Sequence, residues 1–177
     1  MITPTEEEVK EFLEESNAIE REYSDIALQD ANQAWITGVL NAKNDFSVDL
    51  MCGIHRRLMK RLNPKIAGHI REVPVYVGNS QRYRECLKPE LIRKELKKLF
   101  DGWNNTKEKL KEMPDSTKEM FVKEWHIKFE SVHPFEDSNG RTGRILMNLQ
   151  RLIVGLPILI IYNKEKGDYY QWFKELK

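Results

Sequence analysis

Apolar residues recur at helical spacing along almost the whole chain, and only residues 73–86 break that period. Such a pattern restricts the chain to a mainly α bundle with one small β insertion. Val9, Phe12 and Leu13 share a helix face; Ile19, Tyr23, Ile26 and Ala27 carry the spacing on, and Ala31, Ala34 and Trp35 follow. Asn44-Asp45 predicts a turn. Val48, Met51, Leu58 and Leu62 predict a helix that stops before Asn63-Pro64. Ile92, Leu96, Leu99, Phe100 and Trp103 line a helix opening at Lys88-Pro89, and Phe121, Trp125, Phe129 and Val132 line one ending near His133-Pro134. Ile145, Leu149, Leu152 and Ile153 belong to a helix from about Gly140 to Gly155, and Tyr169 to Leu176 predicts a last one. Thr3-Pro4-Thr5-Glu6 offers an N-cap, Pro at the first helical position and Glu three residues after the cap; Ser116-Thr117-Lys118-Glu119 offers a capping box. In the exceptional stretch Val73, Val75 and Val77 alternate, Gly78-Asn79 reads as the turn pair, and Gln81 to Cys86 returns as a polar strand. A lone hairpin is unstable in water, so this one must lean on the helices. Pro157 to Tyr162 leaves helix and strand both open.

At 177 residues, 40% hydrophobic and 32% charged, the chain suits one ordinary domain and excludes disorder. No apolar run approaches the roughly 18 residues of a membrane span. The start, MITPTEEEVKEF, is acidic where a secretory signal is basic and then apolar. Cys52 and Cys86 are too few for a disulfide framework or a metal knuckle. The expectation is a cytoplasmic protein with reduced thiols and no membrane partner. A net charge of +1 gives no global sign of nucleic acid. Residues 1–25 carry −7 and the remainder +8, so an acidic head could fold back onto a basic body. Trp35, Trp103, Trp125 and His55 read as core or structural residues.

The chemistry concentrates in His133-Pro-Phe-Glu-Asp-Ser-Asn-Gly-Arg-Thr-Gly-Arg144, a polar segment joining two strongly apolar helices. A helix N-terminus already presents free N–H groups and partial positive charge, so cations are normally unfavourable there. Arg141 and Arg144 nevertheless occupy the first turn, three apart and facing the same way, with Gly140 and Gly143 leaving the backbone open to close approach. Two arginines at a positive helix end call for a multiply charged anion, most simply a polyphosphate. Asp137 supplies one hard oxygen ligand, which suits Mg²⁺ shared with substrate phosphates. Asn139 can donate to a phosphoryl oxygen. His133 lies across the loop and is the natural base for deprotonating a hydroxyl. Phe135 reads as the loop's buried anchor and Glu136 as solvent-facing.

HPFEDSNGRTGR resembles the signature of the Fic family, His-x-Phe-x-acid-Gly-Asn-Gly-Arg-x-x-Arg, departing from it at Ser138. The Ala67 to Arg71 stretch, Val73 to Gly78 and Trp103-Asn104 resemble the family core more loosely, from roughly 47 to 170. The resemblance implies a Fic-type helical bundle with a β-hairpin flap beside the active-site loop. It also implies transfer of AMP from ATP to a Ser, Thr or Tyr hydroxyl of a protein, self-modification included, with pyrophosphate leaving. By position, His133 is then the base, Asp137 the ligand of Mg²⁺ or Mn²⁺, and Asn139 the group steadying the α-phosphate. The backbone from Ser138 to Arg141 forms the anion nest, Arg141 and Arg144 contact the β- and γ-phosphates, and Gly140 and Gly143 complete the phosphate site. The hairpin from Val75, Tyr76 and Val77 to Arg84 holds the target as an added strand. If the family's Gly at position 138 answers a positive φ, Ser costs about 1 kcal/mol or more there.

Ser16-Asn-Ala-Ile-Glu20-Arg21 resembles the family's inhibitory helix, Ser/Thr-x-x-x-Glu followed by Gly or Asn, and departs at Arg21. The resemblance implies that Glu20 pairs with Arg144 and blocks the γ-phosphate. The chain then divides into residues 1–45, inhibitory and packing helices, and 46–177, the core of one Fic-type domain. Two rival readings follow from the same residues: removal of AMP at the same site, with Glu20 positioning a water, and a non-catalytic peptide-binding module.

Overall fold

The computed structural model describes residues 2–79 and 82–174. Seven helices and one hairpin follow in order among them: α1 (Glu6–Ile19), α2 (Asp25–Asn41), α3 (Val48–Met59), β1 (Tyr76–Asn79), β2 (Arg82–Glu85), α4 (Pro89–Lys111), α5 (Asp115–Val132), α6 (Asn139–Ile153) and α7 (Lys166–Gln171), the last preceded by a 3-10 turn at Asn163–Glu165. None of these helices is long and apolar enough to cross a membrane.

α6 is the centre of the molecule. Every residue of it except Gly140 is buried, polar ones included. A helix buried all round must be covered on every side, and the amphipathic α1, α2, α3 and α5 do this with Phe12, Leu13, Ala34, Trp35, Met51, Ile54, Trp125 and Phe129. α4 closes the far side of α5 through Phe100, Trp103 and Trp125, whose indole N–H donates to the Leu99 carbonyl. Asn148 bonds both backbone groups of Leu159, and so docks the segment from Pro157 to Tyr162 without regular secondary structure.

Several helix ends differ from the sequence expectation. The first cap is Thr5, in a reciprocal box with Glu8, so Pro4 precedes the helix. The capping box expected at Ser116 is absent, because α5 already starts at Asp115 behind Pro114. The spacing of Ile19, Tyr23 and Ile26 bridges a break: α1 stops at Ile19, α2 restarts at Asp25 under a Ser24 cap, and Tyr23 and Ile26 are exposed. In the hairpin Tyr76 pairs with Glu85 and Asn79 with Arg82. Gly78 and Asn79, expected as the turn, therefore belong to β1; Ser80 and Gln81 lie outside the described residues, as do 175–177 of the expected last helix.

Candidate active site

The loop between α5 and α6 is held by groups from three directions. Phe135 is wholly buried and stacks flat on His55, with ring centroids 3.7 Å apart. His55 Nδ1 accepts from the Gly68 N–H at 2.9 Å, which leaves Nε2–H to donate to the Asp137 carbonyl at 3.2 Å. Burial pushes the His55 pKa down to about 4, so the ring stays a neutral brace. Asn139 bridges the loop internally: Oδ1 accepts from Phe135 N–H and Nδ2 donates to Phe135 O, both at 2.9 Å. One N–H of that amide is left uncommitted by these two bonds.

Arg71 was not singled out as a site residue by its sequence, yet it fixes the flap to the loop. Its backbone N–H donates to Pro134 O at 3.0 Å. The buried guanidinium donates to the carbonyls of His133 (2.8 Å), Val73 (2.9 Å) and Leu87 (2.5 Å). The end of α5 thus finds its cation in a residue 62 positions away. Val75 O accepts from Cys86 N–H at the hairpin's base, and Tyr76 is exposed. Among the described residues β1 pairs only with β2, so each strand keeps an outer edge free to bond.

His133 caps α5 in the left-handed region (φ 49°). Its ring is half-buried, and burial lowers its pKa to about 4. The imidazole is therefore neutral at neutral pH, with one ring nitrogen free to accept a proton. Ser138 takes φ 60° at the N-cap of α6, so the family's Gly at this position answers a backbone need. Its N–H is taken by Asp137 Oδ1, and its buried Oγ has no partner. Ser138→Gly is expected to raise stability by about 1 kcal/mol, from relieved strain and the removal of an unsatisfied hydroxyl. In a chain of this size that is about 2–4 °C in Tm, readable by calorimetry; an unchanged or lower Tm would contradict it.

The two arginines are both buried and, three residues apart, lie about 60° from one another around α6, yet their side chains diverge toward different helices. Arg141 turns to α3, its Nη2 lying 3.6 Å from Met59 Sδ, and its Nε and Nη1 are buried with no partner. A guanidinium with buried donors that no protein group satisfies has the chemistry to take an oxyanion. The N–H groups of Asn139, Gly140 and Arg141 add to it, since the helix's own bonding starts with Thr142 N–H to Ser138 O.

Arg144 turns to α1 and α7. Nε donates to Ser16 Oγ and Nη2 to Ser16 O, each at 2.9 Å; Nη2 also meets Glu20 Oε1 at 2.8 Å, and Nη1 reaches Tyr169 OH at 3.4 Å. The nearby Tyr169 and Glu20 raise the Arg144 pKa further. The glycines clear space for these side chains. A Cβ on Gly140 would lie 2.6 Å from Glu20 Oε1 and 2.8 Å from Arg144 Nη1; one on Gly143 would lie 2.5 Å from Glu130 Oε1. Gly143 therefore serves the packing of α5 on α6.

Glu20 stands one residue beyond α1. Glu22 N–H bonds Asn17 O and Arg21 N–H bonds Ala18 O, a Schellman turn, with Arg21 at φ 60°. Gly or Asn would take that conformation at less cost, which accounts physically for their place after the Glu in the inhibitory motif. The rest of the acidic head docks mainly through neutral groups: Tyr162 OH donates to Glu11, and Asn163 N–H to Glu15. Among the described residues Glu20–Arg144 is the ion pair joining it to the body.

A description of the Fic/DOC family matches residues 45–150, loop and flap included. The chain belongs to the Fic/DOC family. It is 33% identical over 152 residues to protein adenylyltransferase fic-1 of Caenorhabditis elegans, covering 85% of this chain and 28% of that protein. To protein adenylyltransferase Fic of Culex quinquefasciatus it is 31% identical over 154 residues, 86% of this chain and 29% of the relative. The chain thus spans under a third of the length of these relatives. The fold matches a Fic domain containing signaling protein from Bacteroides thetaiotaomicron (TM-score 0.81, 20% identity, 93% of this chain and 70% of that one). It also matches Fic-1 from C. elegans (TM-score 0.66, 23% identity, 94% and 55%).

Proposed function

We propose that this Fic protein transfers AMP from ATP to a hydroxyl side chain of a protein, and that Glu20 inhibits it. The observation that carries this reading is Arg141, buried with two unpartnered donors beside the open N–H groups of α6. The naming of similar proteins as adenylyltransferases supports it.

In this reading His133, neutral at neutral pH, takes the hydroxyl proton on a ring nitrogen. Arg141 and the first turn of α6 hold the phosphates so that the α-phosphorus faces His133, and Arg144 receives the terminal phosphate when Glu20 leaves. The flap edge bonds the target's backbone, and Arg71 sets that edge against His133. A Ser, Thr or Tyr of the target, or of the chain itself, is the acceptor. The division into residues 1–45 and a core of 46–177 belongs to the same reading, and the start of the family match at residue 45 supports it. Cys52 and Cys86 are unpaired thiols, which supports a cytoplasmic setting.

Asp137 suits a divalent ion. Asp137 is exposed, and its Oδ1 is steadied by Ser138 N–H. Among the described residues no three acidic, His or Cys side chains converge, so Mg²⁺ or Mn²⁺ here would take its other ligands from phosphates and water. Such an ion supplies charge neutralisation of the polyphosphate. Asp137→Ala is expected to raise the metal concentration needed for half-maximal transfer at least about tenfold, since second ligands cannot replace a lone carboxylate. An unchanged metal requirement would reject Asp137 as the ligand. The reading as a whole is tested with ATP labelled at the α-phosphate: incorporation into protein supports it, and failure of the Glu20→Gly protein to bind ATP overturns it.

A further inference from the structure

Glu130 is a carboxylate that the mechanism above leaves idle. It sits in the last turn of α5, and its Oε1 is enclosed by protein without any hydrogen-bond partner. A buried carboxylate oxygen normally has one, so its placement calls for a cause. The same Oε1 packs against Gly143, where any side chain would displace it, and Gly143 is the residue before Arg144. Glu130 also stands in the turn of α5 that His133 caps.

The charges around it are few. Beside the cost of burial, Arg144 of α6 draws its pKa down and Glu20, at the end of α1, pushes it up. α7 contributes Tyr169 and Tyr170, and the segment after β2 contributes Cys86; burial raises the pKa of all three, so they stay neutral near pH 7. On its own helix His126 is held neutral by burial, with a pKa of about 3, and accepts from Tyr169 OH at 2.8 Å. The balance at Glu130 is thus set by Arg144 and by whatever anion covers Arg144.

We propose that Glu130 is the internal counter-charge of Arg144: ionised when Arg144 is uncovered, and protonated when Glu20 or a phosphate group takes its place beside the arginine. Covering Arg144 then consumes one proton from solvent, and uncovering it returns the proton. Only one net negative charge is kept beside the buried guanidinium in either state, which holds Arg144 in position while the lock opens. With Glu20 docked, burial and Glu20 push the Glu130 pKa up to about 7. Without Glu20 the repulsion is lost and Arg144 draws it down. The sign follows: acid favours the covered states, so docking of Glu20 weakens as pH rises through about 7. In this account Glu130 is a positioning residue that acts through Arg144. The phosphate half rests on the proposed function; the Glu20 half does not.

The test is carboxyl-carbon NMR of glutamate-labelled protein, with Glu130→Gln used to assign the resonance. In wild type, Glu130 should titrate near pH 7. In Glu20→Gly it should titrate about one pH unit or more lower, and adding Mg²⁺ with α,β-methylene ATP should move it back up. Equal titration in wild type and Glu20→Gly overturns the proposal, whatever nucleotide does. Should Glu130→Gln not fold, the only glutamate resonance that shifts so far between the two proteins identifies itself, and the absence of any such resonance is the same refutation. If Glu20→Gly binds no nucleotide, the phosphate reading fails while the Glu20 comparison still decides this one.

Discussion

Replacing Glu20 by glycine is expected to raise AMP transfer on the order of a hundredfold or more. Glu20 Oε1 lies 2.8 Å from Arg144 Nη2 and fills the space above Gly140, where a terminal phosphate would reach the arginine. ATP entering past it must hold its phosphates out of line. The substitution removes one of Arg144's partners and leaves the Ser16 and Tyr169 bonds in place. The stability loss should therefore stay near 1–2 kcal/mol, from the lost bond and a glycine at the helix end. Arg144→Ala should be nearly inactive, and Glu20→Gly should not rescue it, since the phosphate contact goes with the lock. Incorporation of labelled AMP into protein, measured in the wild type, both single variants and the double variant, decides this. Equal rates in wild type and Glu20→Gly refute the inhibitory role.

His133→Ala is expected to lower transfer by about 10²–10⁴-fold in a Glu20→Gly background, the usual worth of a positioned base. Its ring is only half-buried, so Tm should change little, while the backbone carbonyl that Arg71 grips is kept. Burial holds the imidazole neutral down to about pH 4. The acid limb of the pH–rate profile due to His133 thus lies near that value, below the usual range of a histidine: transfer persists above it and falls as pH drops through it. Near wild-type transfer by the alanine variant would remove His133 from the mechanism.

Much of the helical order was legible because a 3.6-residue period survives wherever a helix has one wet and one dry face, as in α4 and α5. It misled where two helices happened to stay in phase across a break, at Ile19 to Ile26. Caps were harder, because several Thr and Ser positions compete and only the entry angle of the chain chooses among them. At the site, the short distance between His133 and Arg144 in sequence made the loop readable as a unit. Glu20 with Arg144 was reached only through resemblance, since nothing in a Ser and a Glu four apart points to a partner 124 positions away. Arg71 and Tyr169 gave no signal of a role at the site: each acts through a carbonyl or a neighbouring guanidinium that only tertiary structure creates. The positive φ at Ser138 could be inferred solely because the family has Gly there.

Arg71 has one more implication. It grips the flap and the catalytic loop through main-chain carbonyls of Val73, Leu87 and His133, and ignores their side chains. In the proposed reading, the alignment of acceptor and base is thereby indifferent to the identity of residues along the hairpin. Such a scaffold would exchange one client protein for another by surface substitutions on β1 and β2, while the reacting centre is inherited unchanged. Selectivity and turnover would then be separately heritable traits, joined at a single guanidinium.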